Sequence, residues 1–511
     1  MEALLSAVAS DLIGRLVSFL IGNCLDHGVT DATVRLQRAL LRARAVVEEA
    51  EGRQMGNRAM LLQLDQLRGA MCRSYYALDA FRRRAVDRNT RSRAVATSSF
   101  SFRLSPRGGN TAADGLAAVA RSLEATLSDM KEFVVLLGCC PRLNRQPYSA
   151  YLFMESCMFG RQMEKEQIIG FLLQQPAQDL EVIPIIGPHE VGKRTLVEHV
   201  CLDERVQQHF SKIHHLRSDD LDPPSWSLLD PTTRSLIVVD FAGGDAYDYE
   251  EEEAWRRFNS SMRRRGHSES KIILISRTER HACLGTMPPL QLRAPRPEEL
   301  WYFFRALAFG AADPEERPDL LRLAMAMCGG IRDGDESVFA SANVLAAALR
   351  ADLSARSWRR VLRVSAGATK LDLGGALPGR RDRPVEKTWY YLVLDLGGGL
   401  PGRRDLGARS MQVKDVSGAS IRIYDKRKST GLAQDELPKV TMAGLLTRGG
   451  AVLPGGETRF DVLMWQSRVP PFASYVATCD IIGDITRLPA AGEKRVRKRR
   501  GQHDDHRNES T

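Results

Sequence analysis

Residues 183–196 read IPIIGPHEVGKRTL, an apolar run that breaks into a glycine-rich turn ending in Gly192 and Lys193. No other stretch constrains the fold as strongly. The spacing G-x-x-x-x-G-K, carried here by Gly187, Gly192 and Lys193, belongs between a strand and a helix. Glycine allows the tight turn, backbone N–H groups point at phosphate, and the lysine reaches the β/γ oxygens. The intervening residues are Pro188, His189, Glu190 and Val191. The next position calls for a Ser or Thr hydroxyl to bind Mg²⁺. It is Arg194, and Thr195 comes one place late. An arginine cannot ligate a metal, although its charge can take over part of the ion's role at the phosphates. The loop therefore points to a nucleotide site and against efficient Mg-dependent hydrolysis. A chance glycine-rich turn is the competing reading, and the order strand, loop, helix argues against it.

The neighbouring chain supports a parallel sheet. From about Cys157 short β-branched runs at 182–186, 236–239 and 272–275 alternate with helical stretches at 194–210 and 255–265. Continuous apolar strands between helices mark an α/β layer covered on both faces. Ligands bind at the carboxyl edge of such sheets. Two more residues fall at that edge: Asp240, where a carboxylate holds Mg²⁺ through water, and Arg277, whose guanidinium can reach a γ-phosphate. The acid that often follows the first carboxylate and orients the attacking water is replaced by Phe241.

Ahead of this region lie helical stripes. Leu36, Leu40, Ala43, Val47 and Ala50 recur every three or four residues, as do Leu64, Leu67, Met71, Tyr75 and Leu78. After a polar, Arg/Ser-rich gap, Leu116, Val119, Leu123, Leu127, Met130 and Leu137 form another stripe, with Asp114 as its expected cap. The expectation is an antiparallel bundle over 1–140 with a loop at 85–112. It contains no catalytic constellation, so its functional reading is protein interaction; the structural alternative is a stable bundle and nothing more.

Composition narrows the rest. The chain of 511 residues is 43% hydrophobic and 27% charged, enough for two to four cored domains. Its nine cysteines form no C-x-x-C pair, which fits a reducing compartment, and Cys139-Cys140 is expected as buried thiol. No zinc pattern appears among the ten histidines, and His214-His215 reads as loop or strand filler. Acidic residues interrupt the apolar N-terminus and no basic n-region precedes it, so neither secretion nor a membrane span is expected. The location expected is cytoplasmic or nuclear, because residues 494–500 (KRVRKRR) are dense enough for a nuclear-import signal or a nonspecific nucleic-acid patch. A solubilising tail is an equal reading.

Residues 159–349 resemble the NB-ARC domain of plant nucleotide-binding immune receptors. Phe159-Gly160-Arg161 stands where that family has V-G-R, and GPHEVGKRTL stands for G-x-G-G-x-G-K-T-T-L. LIVVDF stands for the L-V-L-D-D strand, SKIILISRTERHA resembles the S-K-I-I-x-T-T-R segment, and Cys328-Gly329-Gly330 begins C-G-G-L-P-L. The first 84 residues resemble the family's coiled-coil N-terminal bundle, with only Asp79 kept from its acidic E-D-V-I-D helix. The resemblance implies ADP or ATP binding and a role in defence signalling. It implies that Gly160 and Arg161 line the adenine, that Lys193 and the amides of 187–195 hold the phosphates, and that Arg277 senses the γ-phosphate. Other immune-receptor or host proteins are the implied partners of the bundle.

Departures accompany the matches. Arg194 removes the Mg hydroxyl, Phe241 the second acid, and Arg332 stands in place of a proline that packs on adenine. His189 and Glu190 replace loop glycines, and a carboxylate near phosphate is repulsive. Neither an M-H-D sequence nor a leucine-rich repeat is found. The expected architecture is a helical bundle, an α/β P-loop domain over 155–363, an irregular α/β or β extension over 364–491, and a basic tail over 492–511. The extension carries LDLGGALPGRRD at 371–382 and LDLGGGLPGRRD at 394–405, two copies of a segment expected as solvated loop; contact of its Arg380-Arg381 and Arg403-Arg404 pairs with phosphate or acidic partners is the alternative. The acidic run 250–253 is expected as a loop before a helix. From another class, the rival function is a nucleotide-free scaffold, decoy or helper acting through the bundle.

Overall fold

The computed structural model describes residues 27–96, 109–142, 158–175, 179–188, 191–221, 230, 232–241, 249–266, 269–333, 338–365, 411–414, 420–430, 436–448 and 459–482. The 371–382 and 394–405 repeats and the tail 492–511 lie outside them, as do His189 and Glu190.

Two long helices, α1 (His27–Glu51) and α2 (Arg58–Ala96), pack with α3 (Gly109–Ser128) and α4 (Lys131–Gly138). The stripes read from sequence are the buried faces: Leu36, Leu40, Ala43, Val47 and Ala50 on α1, and Leu64, Leu67, Met71, Tyr75 and Leu78 on α2. Asn57 starts α2 by accepting from the Ala59 amide at 2.9 Å. Three expectations are corrected here. Helix α2 runs to Ala96, well into the expected loop, because its arginine-rich end contains no Gly or Pro to stop it. Helix α3 begins at Gly109, so Asp114 sits inside it and caps nothing. Cys139 is exposed just past the last turn of α4, and Cys140 is only half-buried against the margin of the core.

The α/β layer begins with α5 (Gln162–Leu172) and β1 (Glu181–Ile186), followed by α6 (Lys193–Cys201), α7 (Glu204–His209) and β2 (Lys212–Arg217). Then come β3 (Ser235–Asp240), α8 (Tyr249–Arg264), β4 (Lys271–Ser276) and the short β5 (Leu290–Gln291). The sheet is wholly parallel in the order β2-β3-β4-β1-β5, with Val182 opposite Ile272 and Ile237 opposite Ile272 on its other side. The segment expected as one helix at 194–210 is two, because Asp203 accepts from the Arg205 amide and starts α7 afresh. The acidic run 250–253 is helical rather than loop: it lies in the first turns of α8, where Glu251 and Glu252 are buried. Underneath the sheet the Lys271 ammonium donates to the carbonyls of Phe171 (2.7 Å) and Gln174 (3.0 Å) and pairs with Glu181 at 3.1 Å. It thereby ties the end of α5 to the amino edge of the sheet.

Helices α9 (Pro297–Phe309), α10 (Pro318–Asp333), α11 (Val338–Arg350) and α12 (Ala355–Ser365) form a helical subdomain around Trp301, Phe304 and Trp358. A second sheet follows, built from β6 (Met411–Lys414), β7 (Ser420–Thr430), β8 (Val440–Thr441), β9 (Arg459–Gln466) and β10 (Ala473–Ile482), with α13 (Met442–Arg448) after β8. Its order is β6-β7-β10-β9-β8, and only the β8–β9 pair is parallel. One apolar core runs from the bundle through α9–α12 to Met442 of α13 and to Phe460 and Val462 of this sheet.

Candidate functional site

At the carboxyl edge of β1 the chain must turn within a tight space. The Gly187 amide donates to the Ser276 carbonyl at 3.3 Å, and a Cβ at 187 would lie 2.5 Å from the Leu292 carbonyl oxygen. Only glycine fits. Gly192 sits at φ +97°, a left-handed conformation that costs an L side chain about 1 kcal/mol or more. Val191 is buried and Pro188 exposed between them. Helix α6 then starts with Lys193, which is buried, and its Nζ donates to the carbonyls of Gly187 and Pro188 at 2.6 Å each. Thr195, the third residue of α6, is half-buried.

The sequence leaves open what Arg194 does, and the structure answers it. Its guanidinium forms an ion pair with Asp240, the last residue of β3. A divalent cation at Asp240 would have to displace that guanidinium and would find no hydroxyl at position 194. The residues present do not fit Mg²⁺. The loop's glycines and buried lysine do fit a phosphate chain.

Beside the ion pair opens a cavity of about 310 Å³, with Val197, Val238 and Ile275 as its apolar floor. Its polar wall comes from Arg194, Glu198, His215, Arg217 and Asp240, and Pro471 of the β9–β10 turn also lines it. His215 lies 3.6 Å from Glu198. Sequence reasoning misses four of these residues, Glu198, His215, Arg217 and Pro471. His215 was legible, since KIHHLR is a strand of the same sheet and its carboxyl end must lie at the ligand edge.

Phe241, in the place of the second acid, points inward. It is buried, its amide donates to the Ile275 carbonyl at 2.9 Å, and its ring lies 4.7 Å from His281 and 6.0 Å from Trp255. His281 shares a 2.8 Å hydrogen bond with the Ser276 hydroxyl, and burial lowers its pKa. Arg277 follows β4 directly at the same edge and is half-buried.

On the opposite flank lies the segment matched to the adenine side. Gly160 holds φ +73°, and Arg161 precedes α5, pairs with Glu164 at 3.0 Å and donates to the Arg293 carbonyl. Phe159 is buried, 5.5 Å from the Phe303 ring. Arg332 lies on α10, and its side chain is outside the described ones.

A parallel five-stranded sheet with a glycine-rich loop after β1 and an acid at the end of β3 defines a P-loop NTPase-like fold. Residues 8–105 match the family model described as the Rx N-terminal domain. The chain is 25% identical over 338 residues to disease resistance protein RGA2 of Solanum bulbocastanum, covering 61% of this chain and 34% of that protein. Putative disease resistance protein RGA1 of the same plant is 25% identical over 378 residues, 68% of this chain and 37% of the relative. Putative disease resistance RPP13-like protein 1 of Arabidopsis thaliana is 29% identical over 208 residues, 37% and 19%. The N-terminal match and these relatives support a plant NB-ARC, disease-resistance-like protein. The chain spans about a third of the length of the two Solanum relatives. Among the described residues no helix is long and apolar enough to cross a membrane, and no group of three His, Cys, Asp or Glu side chains could hold a metal.

Proposed function

We propose that the chain binds an adenine nucleotide at 187–195, ADP in preference to ATP, with little or no hydrolysis, and that it acts in plant defence. The observation that carries this reading is the Arg194–Asp240 ion pair. It puts a built-in cation where a P-loop protein keeps Mg²⁺, so a diphosphate finds its charge offset without metal. A γ-phosphate normally shares the metal with the β-phosphate, and that bridge is missing here. Lys193 and the loop amides hold the phosphates, Gly160 and Arg161 line the adenine, and Arg277 senses a third phosphate. Kinship to disease resistance proteins supports the defence role. Other immune-receptor or host proteins dock on the bundle, where Tyr76 is an exposed aromatic beside Arg73.

A calorimetric titration with ADP and ATP, in Mg²⁺ and in EDTA, tests the reading. ADP binds more tightly than ATP, and EDTA changes its affinity by less than about twofold. In Arg194→Thr the pair is gone, and Mg²⁺ then strengthens binding. Equal affinities with a strong Mg²⁺ requirement in the wild type would contradict the proposal. No binding of either nucleotide would favour the nucleotide-free scaffold, which the Lys193 ammonium already bonded to its own loop carbonyls supports.

A further inference from the structure

The segment 159–161 is held from the bundle, none of whose described residues lines the cavity beside the Arg194–Asp240 pair. Arg68 lies on α2 and is 5% exposed, too buried for a guanidinium to remain without a fixed arrangement. Its Nη2 donates to Asp65 Oδ1 at 2.7 Å, and the same nitrogen reaches the Gly160 carbonyl oxygen at 3.4 Å. Asp65 is also approached by Arg296, at 3.9 Å, from the residue that precedes α9. One residue earlier, Phe159 packs 6.2 Å from the Tyr302 ring, and Tyr302 lies 5.2 Å from Tyr75 of α2. Arg68 thus touches Gly160 directly, and Tyr75, seven residues on and on the same face of α2, reaches Phe159 through Tyr302.

The point that Arg68 touches needs holding. Gly160 sits in the left-handed region at φ +73°, and glycine has no intrinsic bias toward that well. A donor on its carbonyl fixes the peptide plane, and that plane sets where Arg161 enters α5. We propose that Arg68 is a positioning residue of the nucleotide site: it orients the adenine-side segment through the Gly160 carbonyl, so that docking of the bundle raises nucleotide affinity. This rests on the nucleotide-binding reading. By linkage the effect is reciprocal, and bound nucleotide tightens the bundle against the α/β domain.

The test uses the full chain as wild type, Arg68→Ala, Arg68→Lys and Arg35→Ala. The last breaks a 2.7 Å ion pair with Glu124, both of whose residues lie in the bundle, and reports a merely structural loss there. Without nucleotide, hydrogen exchange is followed in peptides covering 159–166, which include the Lys165 amide bonded to the Arg161 carbonyl at 2.9 Å. Arg68→Ala accelerates that exchange about fivefold or more, Arg68→Lys restores much of the protection because an ammonium also donates to a carbonyl, and Arg35→Ala leaves it unchanged. With ADP, Arg68→Ala raises the Kd about tenfold, Arg68→Lys recovers most of it, and Arg35→Ala stays near wild type. Unchanged exchange in Arg68→Ala, or equal losses in Arg35→Ala, overturns the proposal. If exchange responds as described but the wild type binds no nucleotide, the nucleotide reading fails, and the affinity half of the proposal fails with it.

Discussion

At the scale of single residues, Arg194 and Phe241 depart from the same phosphate-binding pattern in opposite ways. The loss of the metal hydroxyl at 194 was readable in the sequence, because a P-loop fixes which position must carry it. That the guanidinium would turn onto Asp240 was not, since the two residues are 46 apart and meet only when β3 lies in the sheet near the start of α6. Phe241 reads in sequence as a missing acid, whereas in the fold it is a core residue between Trp255 and His281. The substitution therefore reshaped packing as well as chemistry. Phe241→Asp is expected to lower unfolding free energy by about 4 kcal/mol or more, from the lost ring and the desolvated carboxylate together, and not to create hydrolysis. Urea unfolding measures the first and a phosphate-release assay the second. A variant as stable as wild type would show that position 241 opens to the site.

Among the elements, strands and apolar stripes were the legible part and ends were not. The strands at 182–186, 236–239 and 272–275 sit within β1, β3 and β4, because buried parallel strands are continuous apolar runs. Helix ends depend on single capping contacts and on whether anything stops the chain, which is why α2 outran its expected end and Asp203 split 194–210. The junction of α5, α6 and α7 also holds a pH-sensitive contact that no periodicity shows. His199 on α6 has its Nε2 buried without a hydrogen-bond partner, and burial, assisted by nearby Lys165, lowers its pKa to about 4. Asp203, Lys165, Glu166 and Arg205 form a charged cluster at this junction. The folded state resists protonating His199 while the unfolded chain does not. Stability is therefore full above about pH 6.5 and falls as the pH drops toward 4. Between pH 7 and pH 5 the wild type should lose about 2 kcal/mol more than His199→Leu, as read from urea transitions at the two pH values. Equal losses would place the imidazole in solvent.

On the scale of the whole molecule, the bundle is not a separate bead on the chain. Its α2 helix packs on α9, and the joint is polar at its centre. Asp79 is fully buried there; the Trp301 indole N–H donates to its Oδ2 at 3.0 Å, Arg305 lies 3.0 Å from the same oxygen, and Arg82 lies 3.6 Å from the other. Arg82 continues to Glu315 at 3.0 Å, and Gln37 of α1 donates to Glu315 at 2.9 Å. Around this cluster Arg305 stacks on the Tyr75 ring at 4.8 Å. The sequence marks Asp79 only as the remnant of an acidic helix. Its partners Trp301 and Arg305 stand 222 and 226 positions away, a separation no local pattern can bridge. A buried carboxylate with two arginines is costly to break from one side, because the remaining charge stays desolvated. Asp79→Asn keeps the indole bond but strips Arg305 of its counter-charge, and should cost about 3–5 kcal/mol. Arg305→Met should cost a similar amount by taking from Asp79 its nearer counter-charge and leaving Arg82 at 3.6 Å. The double variant should lose clearly less than the sum, because no unpaired charge is then left in the joint. Such a non-additive cycle, measured by urea unfolding of the full chain, would establish the cluster as one unit joining bundle and helical subdomain. Strict additivity would mean that the two residues act separately, and that apolar packing of α2 on α9 alone holds the joint.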